Sequence, residues 1–309
     1  MIDTVLSVST EPVVIAPEYL LRQLLNGLVF GSMLALMAVG FSLSWGVMRV
    51  LNFAHGAFFM LGGYLAFIIL QSSNIGVLTS SLLALILIFP LGIATERGLI
   101  RPLRDRETDT EQLELRIIAV LIGLWFAIEM GVNIVVGSSH HSFPPLVSGT
   151  TSFAGISIAT HRLFLVLTAI ILLGAFFASL KYTRLGMALR AVSQDTDTAE
   201  LMGINTNRMY TLTFGVAVVL AAAAGVLLVP IYGIYPSVGT RPFLLAFIVV
   251  IIGGLGSLKG PMYAAYLIGL LQSLLTIWVS AELVDAFVFA LMIVILTLRP
   301  AGIAGVVEQ

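Results

Sequence analysis

Polar side chains inside long apolar segments are the first residues of this sequence that could do chemistry. Glu129 lies near the middle of one such segment, and Asn133 follows one helical turn later on the same face. Asn52 and His55 lie at the start of another. A charge at mid-bilayer is costly, so such residues either line a solute path or fix helix packing through hydrogen bonds. Both interpretations stay open for Glu129, and His55 could equally be a capping or packing residue.

Several catalytic and nucleotide-binding motifs are absent from the sequence. The run GGLGSLKGP at 253–261 has glycines and a lysine, but no Ser or Thr follows the lysine, which indicates a helix break. The chain has no cysteine, so disulfides, thiol catalysis and iron–sulfur clusters are excluded. The adjacent His140 and His141 are more typical of a loop than of a metal site. We therefore predict no enzyme, no metal site and no nucleotide bound by this chain itself.

The composition of the chain indicates whether these residues lie in water or in a lipid bilayer. Of the 309 residues, 59% are hydrophobic and 10% are charged, and the mean hydropathy is +1.07. Soluble domains carry about 25% charged residues, so a chain this apolar could not cover its surface in water. The net charge of −1 gives no indication of nucleic-acid binding. We predict an integral membrane protein in a lipid bilayer.

Nine apolar segments approach the length of roughly 20 residues that a bilayer span requires. They cover 20–45, 53–70, 75–95, 117–137, 162–180, 209–229, 243–258, 261–280 and 284–299. Segments 53–70 and 243–258 are short, so either could be re-entrant or packed wholly against protein. The predicted fold is all-α and polytopic, with eight to ten transmembrane helices in one membrane domain over 20–305. Clustered glycines within the segments indicate close helix packing.

Lysine and arginine predict the orientation, because they concentrate in cytoplasmic loops. With the loop 181–208 in the cytoplasm, all but three of the 15 basic residues lie inside, the exceptions being Arg22, Arg162 and Arg241. This places a short N-terminal segment (1–19) outside the cytoplasm and the C-terminus inside. The loops 138–161 and 230–242 are then outside, where their Ser, Gly and Pro content predicts ordered turns or short elements that could dock a partner or simply connect helices.

The loop 181–208 is polar but has an apolar face. Its apolar residues between Gly186 and Met202 recur at helix-like spacing, which predicts one or two short amphipathic helices. Such a face could contact the membrane surface or a soluble partner. A solvated connector is the alternative.

Three stretches of the chain share motifs with a known family. The first is the run 24–67, whose most specific part is NFAHG at 52–56 followed by Met60, Gly62 and Tyr64. The second is RAVSQDTDTAELMGIN at 190–205, and the third is AFIVVIIGGLGSLKGPMYAAYLIGLLQ at 246–272. Together they resemble branched-chain amino acid ABC importer permeases of the LivH type. Members often carry an acid directly after NFAHG, where this chain has Ala57, so no role for that acid can be transferred.

The resemblance implies one of two membrane subunits of an ATP-driven importer in the bacterial inner membrane. Its implied partners are a second homologous permease, two ATP-binding cassette subunits on the cytoplasmic face and a periplasmic solute-binding protein. ATP and Mg²⁺ would be bound by the ATPase subunits, so this chain has no cofactor of its own. The family carries branched-chain or other amino acids, urea, short amides or aromatic acids. An ion-coupled secondary transporter is an alternative of another class.

The resemblance also suggests which residues act. Candidates for coupling to the ATPase are Gly186, Arg190, Ala191, Asp195, Ala199 and Gly203. We expect Ala199 and Gly203 to matter most, so that a bulky residue at Ala199 abolishes transport, while Arg190 and Asp195 add charge pairs. Candidates for the substrate path are the small and polar residues Asn26, Ser32, Asn52, His55, Glu129 and Asn133.

Overall fold

The structure of this chain, a computed structural model, describes residues 17–73, 75–107, 109–153, 156–299 and 302–304. Its helices are α1 (Pro17–Met48), α2 (His55–Ser72), α3 (Val77–Thr95), α4 (Arg101–Arg104), α5 (Thr110–Val136), α6 (Thr160–Tyr182), α7 (Arg184–Gln194), α8 (Thr196–Leu201), α9 (Thr206–Tyr232), α10 (Thr240–Gly253), α11 (Lys259–Leu275) and α12 (Ala281–Leu298). A π-helical turn, Glu96–Ile100, joins α3 to α4. Two strands, β1 (Thr150–Phe153) and β2 (Ile156–Ala159), pair as an antiparallel hairpin.

Seven of the described helices are long and apolar enough to cross a membrane. Helix α2, with 18 residues, is one of the seven. The sequence had left open whether this short segment is re-entrant. Helix α10 has only 14 residues and α11 has 17. Each of the nine predicted segments coincides with one helix, so the all-α polytopic fold is confirmed. The direction in which the chain crosses the membrane stays a prediction, and residues 1–16 of the predicted outer segment lie outside the described residues.

Helices α1 and α9 form the centre of the bundle, because most of their residues are buried. Helix α11 packs along α1, while α2 and α3 pack along α9. Small residues allow these close approaches. A Cβ atom at Gly31 would lie 3.0 Å from the Cα of Tyr266 in α11, and one at Gly62 would lie 2.7 Å from the carbonyl oxygen of Ala222 in α9. Glycine therefore serves helix packing here, where lipid provides no hydrophobic effect to draw helices together.

Contacts at one end of the bundle join the last turns of α1 to the loop between α10 and α11, and α4 to the start of α9. The Ser42 hydroxyl donates to the backbone oxygen of Ser257 at 2.8 Å. The Arg104 guanidinium donates to the side-chain oxygen of Asn207 at 3.0 Å. Because α7 and α8 lead directly into α9, they lie at this end, which we call the α8 end.

The opposite end joins the start of α1 to the end of α11, and the Ser273 hydroxyl donates to the backbone oxygen of Gln23 at 2.7 Å. At the same end His141 and Ile234 exchange backbone hydrogen bonds of 2.9 Å in each direction. This bridge ties together the two loops predicted to lie outside, and the hairpin β1–β2 is the short element expected in the first of them. We call this end the cavity end, because a cavity between six helices lies there.

The Gly-rich run 253–261 ends α10, as its sequence predicted. The helix stops at Gly253, and Gly254 has a φ of 100°, in the left-handed region that favours glycine. The chain then reverses into α11. The backbone N–H of Ile303 donates to the carbonyl oxygen of Ile252 at 2.8 Å, so residues 302–304 lie against the end of α10.

Candidate functional site

Helices α7 and α8 form within the loop where the sequence predicted one or two amphipathic helices, and local caps fix where each begins. The Thr183 hydroxyl accepts a hydrogen bond from the backbone N–H of Gly186 at 3.0 Å, at the start of α7. The Asp195 carboxylate accepts from the N–H and the hydroxyl of Thr198 at 3.0 and 2.6 Å, at the start of α8. Each cap pairs a backbone donor that the first turn of a helix leaves without a partner.

Two charged residues of this segment, Asp195 and Arg190, are already engaged within the chain. Because the Thr198 hydroxyl and N–H donate to it, the pKa of the Asp195 carboxyl lies below its ordinary value. The cap is therefore fully formed at neutral pH and weakens only as the pH falls through that lowered pKa. The Arg190 guanidinium donates to the backbone oxygen of Leu180 in the last turn of α6. Charge pairs between these two residues and a partner stay a prediction.

Three of the predicted coupling residues lie against the chain itself. Gly186 is buried, and a Cβ there would overlap the backbone oxygens of Ser179 and Leu180. Ala199 is only 3% exposed, and Ala191 is half-buried. A covered side chain cannot lie on a docking face in this conformation. A bulky residue at Ala199 would therefore act by displacing α8, which differs from the direct role expected from the sequence.

The most exposed apolar side chains of this segment are at the end of α8. Leu201 and Met202 are 89% and 79% exposed. Gly203 follows with a φ of 84°, and the N–H of Ile204 bonds back to the carbonyl oxygen of Ala199 at 3.0 Å, a helix ending that needs glycine. We call Leu201, Met202 and Gly203 the α8 tip. An exposed apolar projection on a polar segment is typical of an interaction surface.

A buried ion network beside α8 was missed by the sequence reasoning. The π-helical turn after α3 places the Glu96 carboxylate at 0% exposure, where it accepts from Arg101 and Arg104 at 3.0 and 3.1 Å. The Thr211 hydroxyl of α9 donates to the same carboxylate at 2.7 Å. The available signal was an acid at the end of an apolar span, followed five and eight residues later by arginines. The network fastens the end of α3 to the first turns of α9.

The same network reaches α8 through an aromatic ring. The Arg104 guanidinium lies 4.3 Å from the centre of the Tyr210 ring of α9. The Tyr210 hydroxyl shares a hydrogen bond of 3.3 Å with the hydroxyl of Thr196, the first residue of α8. A continuous set of contacts therefore runs from α8 through α9 to the end of α3.

Three predicted path residues, Ser32, Asn52 and His55, are fully buried near the centre of the bundle. The Ser32 hydroxyl donates to the Tyr266 hydroxyl at 3.3 Å, and His55 Nε2 bonds to the backbone oxygen of Met37 at 3.1 Å. Neither amide atom of Asn52 has a hydrogen-bond partner within the described part of the chain. The contact of these residues with a solute stays a prediction.

Glu129 lies apart from these residues, on α5. It accepts a hydrogen bond from the Trp125 indole N–H at 3.0 Å, and the Trp125 ring packs edge-on against Phe243 of α10 at 5.1 Å. The hydrogen bond therefore holds the indole ring of α5 that contacts α10. Asn133, one turn further along, is half-buried. A place for either residue on a solute path stays a prediction.

Asn26, the sixth predicted path residue, lines a cavity of about 340 Å³ at the cavity end. This is near the lower limit of small-ligand pockets, which measure roughly 300–1,000 Å³. Six helices contribute to its walls. The polar lining includes Gln23, Asn26, Arg162, Arg241, Gln272 and Ser273, and the apolar lining includes Val29, Phe30, Ile231 and Val284.

Two arginines give this cavity its charge. The Arg241 guanidinium forms a two-pronged pair with the Asp285 carboxylate, with both bonds at 2.9 Å, so its charge is balanced. Arg162 donates to the side-chain oxygen of Asn26. Among the residues that the structure describes, no carboxylate lies within 4.0 Å of the Arg162 guanidinium. The cavity wall therefore carries one positive charge that has no counter-ion among the described residues.

Comparison with known proteins identifies the class of this bundle. The chain matches the family described as "Branched-chain amino acid transport system / permease component" over residues 23–296. The chain belongs to this family. The match confirms the resemblance noted from the motifs, and with the multi-pass helical fold it makes the chain a membrane permease.

Individual relatives match over nearly their whole length. The chain is 33% identical over 303 residues to the high-affinity branched-chain amino acid transport system permease protein LivH of Salmonella typhimurium, covering 93% of this chain and 96% of the relative. It is 31% identical to the high-affinity branched-chain amino acid transport system permease protein BraD of Pseudomonas aeruginosa, covering 92% and 95%. A probable branched-chain amino acid transport permease protein LivH of Methanocaldococcus jannaschii is 28% identical, covering 92% and 93%.

Proposed function

We propose that this permease is a transmembrane subunit of an ATP-driven importer that carries branched-chain or related aliphatic amino acids across the inner membrane. The observation that carries the proposal is the family match over residues 23–296. The named relatives, aligned over more than nine-tenths of this chain, are permeases of branched-chain amino acid transport.

ATP is hydrolysed by separate subunits in this proposal. The sequence holds no phosphate-binding loop motif, since the lysine of GGLGSLKGP is not followed by Ser or Thr. The α8 tip supplies a contact for such a subunit, because Leu201 and Met202 project from a short helix and are largely exposed. An apolar helix end that enters a groove on a partner is a common mode of recognition.

The contacts around α8 provide a route by which movement of the ATPases reaches the membrane helices. Displacing α8 would pull on Tyr210 of α9 through Thr196, and on Arg104 and Glu96 at the end of α3. ATP binding that closes the two ATPases would then shift α3 and α9 together. A second permease subunit completes the central path, and rocking of the pair opens it to each side in turn. A periplasmic binding protein delivers the solute at the cavity end.

Uptake in cells tests this function. Deleting the gene for this chain should abolish high-affinity uptake of labelled leucine, isoleucine and valine, and the wild-type gene should restore it. Depleting ATP should stop the restored uptake, whereas an ionophore that collapses ion gradients at constant ATP should leave it unchanged. Labelled urea and acetamide should enter deleted and restored cells at the same rate.

Two results would contradict the proposal. Loss of urea or acetamide uptake with unchanged leucine uptake would assign the permease to a different solute. Restored leucine uptake that follows the ion gradient and ignores ATP would make the chain a secondary transporter.

A further inference from the structure

Two of the three arginines predicted to lie outside the cytoplasm line the same cavity. With the α8 end in the cytoplasm, Arg22, Arg162 and Arg241 are the basic residues left on the other side. Arg162 lies in the first turn of α6 and Arg241 in the first turn of α10, yet both line the cavity of about 340 Å³. Basic residues are scarce on the outer side of membrane proteins, so two of them in one cavity wall call for an explanation.

Arg162 is suited to bind an anionic group. Its guanidinium donates a hydrogen bond to the neutral side chain of Asn26, and no carboxylate among the described residues lies within 4.0 Å of it. A guanidinium has five N–H donors in a planar fork, and that fork matches the two oxygens of a carboxylate. Arg241 does not compete for the same anion, because Asp285 already occupies it in this way.

Gln272 supplies an acceptor in the same wall. Its side-chain N–H₂ donates to the Asp285 carboxylate at 3.2 Å. Because a carboxylate only accepts, the amide cannot flip, and its Oε1 atom is left as an acceptor. That oxygen is buried and has no hydrogen-bond partner among the described residues. Buried polar atoms are normally paired, and an ammonium group, which has three donors and no acceptor, is a fitting partner.

The remaining wall is apolar. Val29 and Phe30 of α1 and Val284 of α12 line the cavity, and they offer contact to a short hydrocarbon side chain. A ligand that pairs with Arg162 and Gln272 and also contacts the apolar wall carries a carboxylate, an ammonium and a small aliphatic group. The volume limits it to a small solute.

We propose that this cavity is a binding site for the zwitterion of a small aliphatic α-amino acid, with Arg162 binding the carboxylate and Gln272 accepting from the ammonium. The proposal rests on the proposed function for the identity of the ligand and for the outward direction of the cavity. It adds a capture site within this permease itself, in addition to any site on the protein that delivers the solute.

Binding of labelled leucine to the full chain in phosphatidylcholine nanodiscs tests the site. Saturable binding is expected, weakened about tenfold or more in Arg162→Gln and in Gln272→Leu, since each loses a hydrogen bond to a charged group. The matched control is Arg22→Gln, which removes the third outer arginine, an exposed residue that does not line the cavity. It should bind leucine like the wild type.

Two leucine analogues test the same assignment without any mutation. 4-Methylpentanoate lacks the ammonium, and isopentylamine lacks the carboxylate, so each should displace leucine at least about tenfold less well than isoleucine does. Equal displacement by either analogue would overturn the assignment. So would unchanged binding in both cavity variants, or loss of leucine binding when phosphatidylethanolamine replaces phosphatidylcholine, which would assign the cavity to a lipid headgroup. Each of these results is compatible with normal ATP-dependent leucine uptake by cells, so the cavity assignment can fail while the proposed function stands.

Discussion

At the scale of single residues, the conformation of the α7–α8 segment depends on two glycines and two capping residues. Gly186 lets α7 lie directly on the last turn of α6, and Gly203 ends α8 in a backbone conformation that other residues rarely adopt. Asp195 and Thr183 fix the helix starts by capping. These four residues position Leu201 and Met202, the two exposed apolar side chains of the α8 tip.

Gly186→Ala tests the close contact between α7 and α6. The added methyl group would overlap the carbonyl oxygens of Ser179 and Leu180, so we expect a stability loss of about 1–3 kcal/mol and slower uptake. Thermal unfolding in nanodiscs and leucine uptake measure the two effects. The control is Gly174→Ala in α6, where no atom lies within 4 Å of the added Cβ. If Gly186→Ala behaves like Gly174→Ala, the contact does not position α7.

The caps and the glycine turn could be predicted from the sequence, because they depend only on neighbouring residues. The exposure of each helix face could not. Ala199 and Leu201 both belong to the apolar pattern of α8, but one is covered by the chain and the other projects from it. Helical spacing marks an apolar face without saying which residues the rest of the fold will cover.

At the scale of elements, a buried ion network joins α3 to α9 at the α8 end, in addition to apolar packing. Glu96 is held by Arg101, Arg104 and Thr211, and the π-helical turn gives it this position. A buried ion pair contributes little by its presence, but removing one partner leaves uncompensated charge. The network therefore holds α3 and α9 in one arrangement, as a coupling element requires.

Glu96→Gln should destabilise the permease by about 3 kcal/mol, because two arginines lose their carboxylate. The rate of leucine uptake should fall by more than the loss of folded permease explains, because α3 and α9 no longer move together. Thermal unfolding and leucine uptake are the measurements. Glu107→Gln is the matched control, since its ion pair with Arg116 is more exposed and should be worth about 0–1 kcal/mol. Equal effects of the two substitutions would remove the network from the coupling route.

The helices themselves were predictable from hydropathy, because lipid admits only long apolar segments whose backbone groups are paired internally. The cavity was not, because its walls come from six helices that are distant in the sequence. Arg162 and Gln272 belong to α6 and α11, and nothing in the local pattern brings them to one place. The charge count singled out Arg162 and Arg241 only as exceptions.

At the scale of the whole molecule, the two ends of the bundle carry different structural features. The α8 end carries the ion network and the exposed apolar tip, and the cavity end carries the two loops joined by His141 and Ile234. The proposed importer requires the first end to face the cytoplasm and the second to face outward. The asymmetry of the 15 basic residues favours this orientation.

Single cysteines test the orientation directly, because the chain has none of its own. Ser148 in the first outer loop and Asp197 in α8 are both exposed. A membrane-impermeant maleimide should label Ser148→Cys in spheroplasts and Asp197→Cys only in inverted vesicles. The cysteine-free wild type controls for background labelling. The reverse pattern would contradict the orientation and with it the outward direction of the cavity.

The central claim, that the α8 tip couples this permease to a separate ATPase, is tested most directly by ATP-driven leucine uptake into proteoliposomes. The permease is reconstituted with its partner subunits, and ATP is supplied on the side of α8. We expect the Leu201→Gln/Met202→Gln double variant to take up leucine at least about tenfold more slowly than the wild type at unchanged melting temperature. Leu78→Gln, an exposed leucine at the start of α3 on the opposite end, should match the wild type. Wild-type uptake by the double variant would contradict the claim.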